Sequence, residues 1–206
     1  MKPKSPRALL LSCSIAALFL TGCAAENRLV SQWSNPGYGA PPFKKIIVGA
    51  SDGESAIRRN FEDEFAAQLR SAGVDAAPSY RYIPEDHSLD AARLKQAAKQ
   101  AGADAAILTR PVGVEQKTEY SPSYYPYPAV GVFGPHLGAT WYGLYGAPGV
   151  RRYDVYTSEA TLYDVGKDDV VWTGTVKAVQ PDNMAAAIKN YVAIVIKALN
   201  EKKLLR

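Results

Sequence analysis

Cysteine and histidine are scarce in this sequence, which leaves few candidates for a catalytic pair or a metal site. Its 206 residues include two cysteines and two histidines. A structural zinc site needs about four ligands, which argues against one here. No Gly-x-x-x-x-Gly-Lys-Ser/Thr phosphate loop occurs. We therefore predict no catalytic residue, no metal site and no cofactor, and we expect a protein that is not an enzyme.

Excess charge is also missing once the N-terminal segment is set aside. The whole chain has 24 basic and 20 acidic residues, but three of the basic residues lie within the first 22. The remainder has 21 basic and 20 acidic residues, a net charge of about +1. A nucleic-acid-binding surface is usually strongly basic, so we expect no nucleic-acid partner.

The N-terminus has the three parts of an export signal. Lys2, Lys4 and Arg7 form a positive start, and the apolar segment 8–20 follows. That segment is shorter than the roughly 20 residues that a membrane-spanning helix needs. Small residues then lead to a cysteine, so we predict a signal peptide over residues 1–22.

The end of this signal, Leu20-Thr21-Gly22-Cys23, resembles the bacterial lipobox, in which a small residue precedes an invariant cysteine. The resemblance implies cleavage before Cys23, a diacylglycerol thioether on its Sγ atom and acylation of the new N-terminus. Ala24 follows instead of Asp, which in lipoproteins favours sorting to the outer membrane. Several acyl chains, at about 0.8 kcal/mol per buried CH₂, would attach the protein permanently. The alternative is an ordinary secretory signal with a chance cysteine.

The sequence after the signal divides into a tether and one domain. Residues 23–42 are rich in Ser, Asn, Gly and Pro and show no apolar period, which predicts a lipidated N-terminus followed by a flexible tether. Trp33 and Tyr38 interrupt it, and they either dock on the domain or lie near the lipid headgroups. The remaining residues, 43–206, are enough for a single domain. Cys13 is lost with the signal, so no disulfide is expected within the mature chain.

Strand and helix patterns alternate through this domain. The predicted order is β-α-β-α-β, a long loop, then β-β-α, which indicates an α/β fold with a mixed sheet and helices packed on it. Ser51 and Glu54 have the spacing of a capping box at the first helix. The charged residues of that helix are expected on its solvated face: Arg58, Arg59, Glu62, Asp63 and Glu64. Asp182 or Asn183 is expected to cap the last helix.

Four stretches carry a resemblance to a protein family. A lipobox, the helix FEDEFAAQLRSAG, the strand GADAAILTR and the hairpin LYDVGKDDVVWTG together resemble uncharacterised periplasmic and outer-membrane lipoproteins of proteobacteria. The domain is similar in layout to the N-terminal domain of TolB and to the curli-secretion lipoprotein. The resemblance covers residues 44–200 as a pattern of elements. It implies a location in the cell envelope and supplies no catalytic residues.

The segment 120–150 contains no Lys, Arg, Asp or Glu. Its six glycines and five prolines predict a loop insertion without regular structure. Aromatic rings are enriched at protein interfaces and at membrane boundaries, so we predict contacts with a partner or with the membrane. The residues proposed for these contacts are Tyr120, Tyr124, Tyr125, Tyr127, Trp141, Tyr142 and Tyr145. The alternative is a surface insertion that is tolerated because loop closure entropy grows slowly with length.

These patterns predict a lipid-anchored protein of the outer membrane that faces the periplasm. We expect a non-enzymatic binding or assembly module of the cell envelope, attached to the membrane through Cys23. Its partner would be another envelope protein or a second copy of the chain. The alternative is an oligomeric subunit of an outer-membrane export or pore system, in which segments between strands enter the membrane. Pro126, Pro128 and Pro135 argue against that alternative, and a hydrolase is disfavoured because no nucleophile–base pair is evident.

Overall fold

A computed structural model describes residues 27–39, 41–51, 54–84, 89–133 and 136–206, without the side chains of residues 125–145. Six strands form one mixed sheet, and three α-helices pack on it within these residues. The α/β fold predicted from the sequence is confirmed. In chain order the elements are β1 Arg28–Ser34, β2 Lys45–Ala50, α1 Ser55–Ser71, β3 Asp75–Pro78, a 3₁₀ turn Ser79–Arg81, α2 Ala91–Gln100, β4 Ala105–Phe133, β5 His136–Asp164, β6 Asp169–Val179 and α3 Met184–Glu201.

The sheet has a parallel half and an antiparallel half, in the order β1-β6-β5-β4-β2-β3. β2 pairs in parallel with both β3 and β4, because a helix connects each of these strands to the next. β4, β5, β6 and β1 pair antiparallel. The predicted hairpin between β5 and β6 is present, with Asp164 opposite Asp169 at its turn.

Helices cover both faces of the sheet. α1 and α3 pack on one face, where Phe65 and Leu199 join strand residues such as Ile46 and Ile107 in the larger core cluster. α2 packs on the other face, where Leu94 belongs to a smaller cluster. In the buried strands, successive residues alternate between these two clusters, which is the period of two expected for a covered sheet.

The helix termini follow the sequence signals in part. The side chain of Asn183 accepts a hydrogen bond from the backbone N–H of Ala186 at 3.1 Å and so caps α3, as predicted. Asp90 caps α2 through the N–H of Arg93 at 2.8 Å. The predicted capping box of α1 is wrong, because Glu54 is the N-cap residue and its side chain forms no capping hydrogen bond.

Part of the predicted tether, residues 28–34, instead forms strand β1 at the edge of the sheet. An edge strand with one solvated face needs few apolar residues, so the composition of residues 28–34 does not indicate a strand. Tyr38 docks on the domain, and its hydroxyl donates a hydrogen bond to Asp164 at 2.9 Å. Trp33 lies half exposed on β1. The signal peptide and Cys23 lie outside the described residues.

The charged face predicted for α1 is partly wrong, because Glu62 and Arg58 are buried. Glu62 faces the end of β2, where its carboxylate accepts hydrogen bonds from buried polar groups. A helical period places residue 62 beside the apolar stripe that contains Phe65 and Leu69. A charge at such a position is buried when neighbouring backbone groups satisfy it.

The long loop predicted over residues 120–150 is also wrong. Strands β4 and β5 continue through this segment and pair with each other from Ala105↔Asp164 to Phe133↔His136. Two irregularities interrupt the ladder, near Val112 and near Pro122. The segment is therefore the outer part of one very long hairpin.

Candidate functional site

The hairpin of β4 and β5 projects beyond the rest of the sheet. β2 pairs with β4 only as far as Thr109, and β6 pairs with β5 only from Val155 onward. We call the hairpin beyond these points, residues 110–154, the arm. From the Gln116↔Asp154 pair to the end of β4 at Phe133 it extends about 60 Å, at about 3.3 Å per residue.

Both long edges of the arm lack a neighbouring strand among the described residues, since β4 and β5 pair there only with each other. Each edge therefore presents a row of backbone N–H and C=O groups that a further strand could pair with. An isolated two-stranded hairpin is marginally stable in water, and a third strand or a packed surface stabilises it. Among the described residues no third strand lies beside the arm.

Charge is confined to the part of the arm nearest the sheet. Arg110 pairs with Glu159 at 2.8 Å, and Glu115 lies 3.8 Å from Lys177 of β6. Glu119 and Arg151 face each other across the two strands. Beyond that pair the two strands carry no Lys, Arg, Asp or Glu. The outer arm, residues 120–150, is thus a neutral hairpin about 45 Å long.

Proline is compatible with this hairpin because each strand has a free side. Pro126 and Pro128 lie opposite Gly143 and Trp141 in the ladder. Alternate N–H groups of a two-stranded hairpin point away from the partner strand, and prolines two residues apart occupy equivalent positions. A missing N–H at the outward position removes no ladder hydrogen bond, which is why prolines occur on edge strands. The expectation that prolines would prevent strands here is therefore corrected.

The seven predicted contact residues all lie on the outer arm. Tyr120 is 67% exposed and pairs with Val150, which is 55% exposed. The ladder sets Tyr124 opposite Tyr145 and Tyr127 opposite Tyr142. The remaining two, Tyr125 and Trp141, lie opposite Leu144 and Pro128. The hairpin thus gathers residues from two separate stretches of sequence, although the side chains of five of the seven are outside the description.

Among the residues that the structure describes, no group of three or more His, Cys, Asp or Glu is arranged to hold a metal ion. The segment after β2 precedes a helix, and the N-terminus of a helix is a usual binding place for an anion. At this point, however, the Ala50 N–H already donates a hydrogen bond to the Glu62 carboxylate. No helix among the described residues is both long and apolar enough to cross a membrane.

Two polar features were missed by sequence reasoning. One is the buried carboxylate of Glu62, and the other is a pair of buried hydroxyls, Thr109 and Tyr191. Thr109 ends the buried part of β4, and Tyr191 lies in the middle of α3. Nothing in the local sequence indicates their proximity, because only the packing of α3 on the sheet brings them together.

Comparisons with known proteins give structural likeness alone. No protein-family model matches this sequence, and no curated protein matches it. A PelC dodecamer from Paraburkholderia phytofirmans superposes with a TM-score of 0.46 and 16% identity, over 87% of this chain and 99% of that one. The lipoprotein GNA1162 from Neisseria meningitidis superposes with a TM-score of 0.40 and 14% identity, over 77% of this chain and 96% of that one. At these TM-scores and identities, neither likeness identifies a family or a function for this chain.

Proposed function

We propose that this protein is a lipid-anchored, non-enzymatic module of the bacterial cell envelope that binds or assembles with another envelope component through its arm. The observation that carries the proposal is the arm itself. It combines two unpaired strand edges, a neutral outer segment and exposed aromatic residues such as Tyr120. Aromatic and uncharged surfaces are enriched at interfaces, where charged side chains are depleted.

The proposed attachment rests on the lipobox resemblance at Cys23, which sets the domain beside the periplasmic face of the outer membrane. Asn27, four residues later, is already held to α3 through a 2.8 Å hydrogen bond to the carbonyl of Ala187. A lipid on Cys23 would therefore hold the domain close to the bilayer surface. Cys23→Ser should release the protein into the soluble fraction of disrupted cells. Retention of this variant in washed membranes would contradict the anchoring.

Deletion of the outer arm tests the contact function. Glu119 and Arg151 face each other in the ladder, so an Asn-Gly turn can join them in place of residues 120–150. We expect the shortened protein to fold with an unchanged sheet and to lose its crosslinked partners in cells. Thermal unfolding of the two proteins provides the folding control. If the shortened protein keeps the same partners and the same assembly size, the arm is not the contact element.

A second candidate function is an oligomeric subunit of an outer-membrane export or pore system. Its specific support is the length of the neutral outer arm, about 45 Å by the rise of a strand against a hydrocarbon core about 30 Å thick. In a bilayer every backbone polar group must be paired, so this function requires several copies whose arms join edge to edge. Light scattering of the detergent-extracted protein separates the two functions, since a stable assembly that dissociates on arm deletion favours the second.

The two structural neighbours do not carry the proposal. By their own descriptions one is a dodecamer and the other a lipoprotein. The predicted similarity in layout to TolB and to the curli-secretion lipoprotein stays a prediction.

A further inference from the structure

A cavity lies at the base of the arm, on the face of the sheet that carries α1 and α3. It measures about 340 Å³ and is bounded by the first turns of α3, by Phe61 of α1, by Tyr156 and Ser158 of β5 and by the C-terminal end of β6. We call it the base cavity. Its volume is within the range of pockets that hold small molecules, about 300–1,000 Å³.

The wall of the base cavity is mostly apolar and carries no charge. Its apolar residues include Phe61, Pro181, Met184 and Ile188, and Ser158 and Gln180 add neutral polar groups. None of the described residues that line it is Lys, Arg, Asp, Glu or His. A wall of this kind favours an alkyl chain, because burial of each methylene is favourable.

Tyr191 and Thr109 contribute neighbouring hydroxyl groups to the same wall. Tyr191 is 7% exposed and Thr109 is 8% exposed. Among the described residues, neither the Tyr191 Oη atom nor the Thr109 Oγ1 atom has a hydrogen-bond partner of normal geometry. Buried hydroxyls are nearly always hydrogen-bonded, so both groups are available to a ligand that supplies an oxygen.

The electrostatics of the base cavity favour one chemical class of ligand oxygen. Burial raises the pKa of Tyr191, the nearby Thr109 hydroxyl opposes part of this rise, and the negative charge of Glu159 adds to it. Tyr191 is therefore a neutral phenol that donates a hydrogen bond. The same burial and the same Glu159 charge would disfavour an anionic headgroup. A neutral acceptor, such as an ester carbonyl or an alcohol, fits this surrounding.

We propose that the base cavity binds a neutral single-chain amphiphile, with its alkyl chain against Phe61 and Ile188 and its oxygen hydrogen-bonded to Tyr191 and Thr109. This binding goes beyond the contact function of the arm, since it requires neither the outer arm nor the lipid anchor. An acyl group on Cys23 would have the same chemistry, and Asn27 at the cavity rim lies only four residues away. We assign the site to a ligand from outside the chain, and Cys23→Ser removes the internal source.

Calorimetric titration of the Cys23→Ser chain with octan-1-ol and decan-1-ol, in detergent-free buffer, tests the proposal. We expect one site per chain and an affinity that rises about fourfold for each added methylene. Decanoate should bind about tenfold more weakly than decan-1-ol, because its charge is not satisfied in the cavity. Tyr191→Phe and Thr109→Val should each lower the affinity for decan-1-ol about tenfold.

Two further variants make the result specific. Thr161→Val removes a hydroxyl that is equally buried but lies on the α2 face of the sheet, so the affinity should not change. Ala187→Phe places a ring in the cavity and should abolish binding. Tyr191→Phe keeps the ring and removes an unpaired hydroxyl, so its melting temperature should not fall. The proposal is overturned if decan-1-ol shows no saturable binding, or if Tyr191→Phe and Ala187→Phe bind it as tightly as the parent chain.

Discussion

The hydroxyl of Ser79 lies 2.9 and 3.0 Å from the two carboxylate oxygens of Glu62, in the interior of the domain. The backbone N–H groups of Ala50 and Tyr80 donate to the same carboxylate at 3.1 Å each. Arg58 lies one helical turn away, with its Nε atom 3.8 Å from Glu62. One acidic side chain thus joins the end of β2, helix α1 and the turn after β3.

Glu62→Ala should destabilise the fold by about 2–4 kcal/mol, because it leaves two buried N–H groups and a serine hydroxyl without an acceptor. Asn60→Ala is a matched control, since residue 60 lies on the exposed face of the same helix. Urea unfolding of both variants gives the free energies. Equal small losses for the two variants would show that Glu62 is not the structural link described here.

The ionisation of Glu62 also predicts a pH dependence of stability. Burial raises its pKa above the ordinary value of 4.5, although the hydrogen bonds from Ala50, Ser79 and Tyr80 oppose the rise. The folded chain then binds this proton more tightly than the unfolded chain does. Its contribution to stability is complete below the unfolded pKa and is lost as the pH rises through the folded pKa.

We therefore compare the free energy of unfolding of the parent chain with that of Glu62→Gln, which cannot ionise, from pH about 4 upward. The difference between them should change in favour of Glu62→Gln as the pH rises. Other titrating groups cancel in this comparison, since both chains contain them. A difference that stays constant with pH would contradict a raised pKa.

Close packing gives a prediction on β6. Trp172 is completely buried, and its indole Nε1 donates to Gln32 of β1 at 3.2 Å. A Cβ atom at Gly174 would overlap the Trp172 ring. Gly174→Ala should therefore destabilise the domain by about 1–3 kcal/mol, as overpacking of a dense core does.

Gly113→Ala is the control for that substitution, because nothing lies within 4 Å of the Cβ position at this glycine of the arm. Thermal unfolding should show a lower melting temperature for Gly174→Ala and little change for Gly113→Ala. If Gly174→Ala is as stable as the control, the indole ring does not occupy the space above Gly174.

The sequence predicts the covered part of this fold well because burial imposes a period there. Apolar residues at helical spacing locate α1, α2 and α3, and β-branched runs locate β2 and β6. The exposed strands lack that period. β1 is an edge strand with polar residues, and the outer arm is neutral along both strands, so neither shows the alternation of apolar and polar residues that identifies a strand.

The candidate sites also differ in whether the sequence indicates them. Composition alone identifies the outer arm as unusual, since the absence of charged residues can be read from the sequence without knowing which residues lie nearby in the fold. The Thr109–Tyr191 pair has no such signal, because the two residues belong to a strand and a helix that are distant in the chain. Glu62 looks like any charged helix residue until Ala50 and Ser79 are placed beside it.

Charged residues placed on the outer arm test its role in contacts without deleting the arm. Tyr120 and Val150 face each other and are both exposed, so Tyr120→Lys with Val150→Glu creates an opposite-charge pair across the strands. We expect the free energy of unfolding to change by less than about 0.5 kcal/mol, as for most surface substitutions. Contacts of the arm should nevertheless weaken, because burial of charged groups in an interface is unfavourable.

Crosslinking in cells and light scattering of the extracted protein measure those contacts. The control exchanges the neighbouring pair, Glu119→Arg with Arg151→Glu, which keeps the charge where charge already exists. The control should keep its partners and its assembly size, whereas the Tyr120/Val150 variant should lose them. If both variants behave like the parent chain, the contact does not extend to this end of the outer arm, and the proposed contact surface would have to lie nearer its tip or elsewhere on the domain.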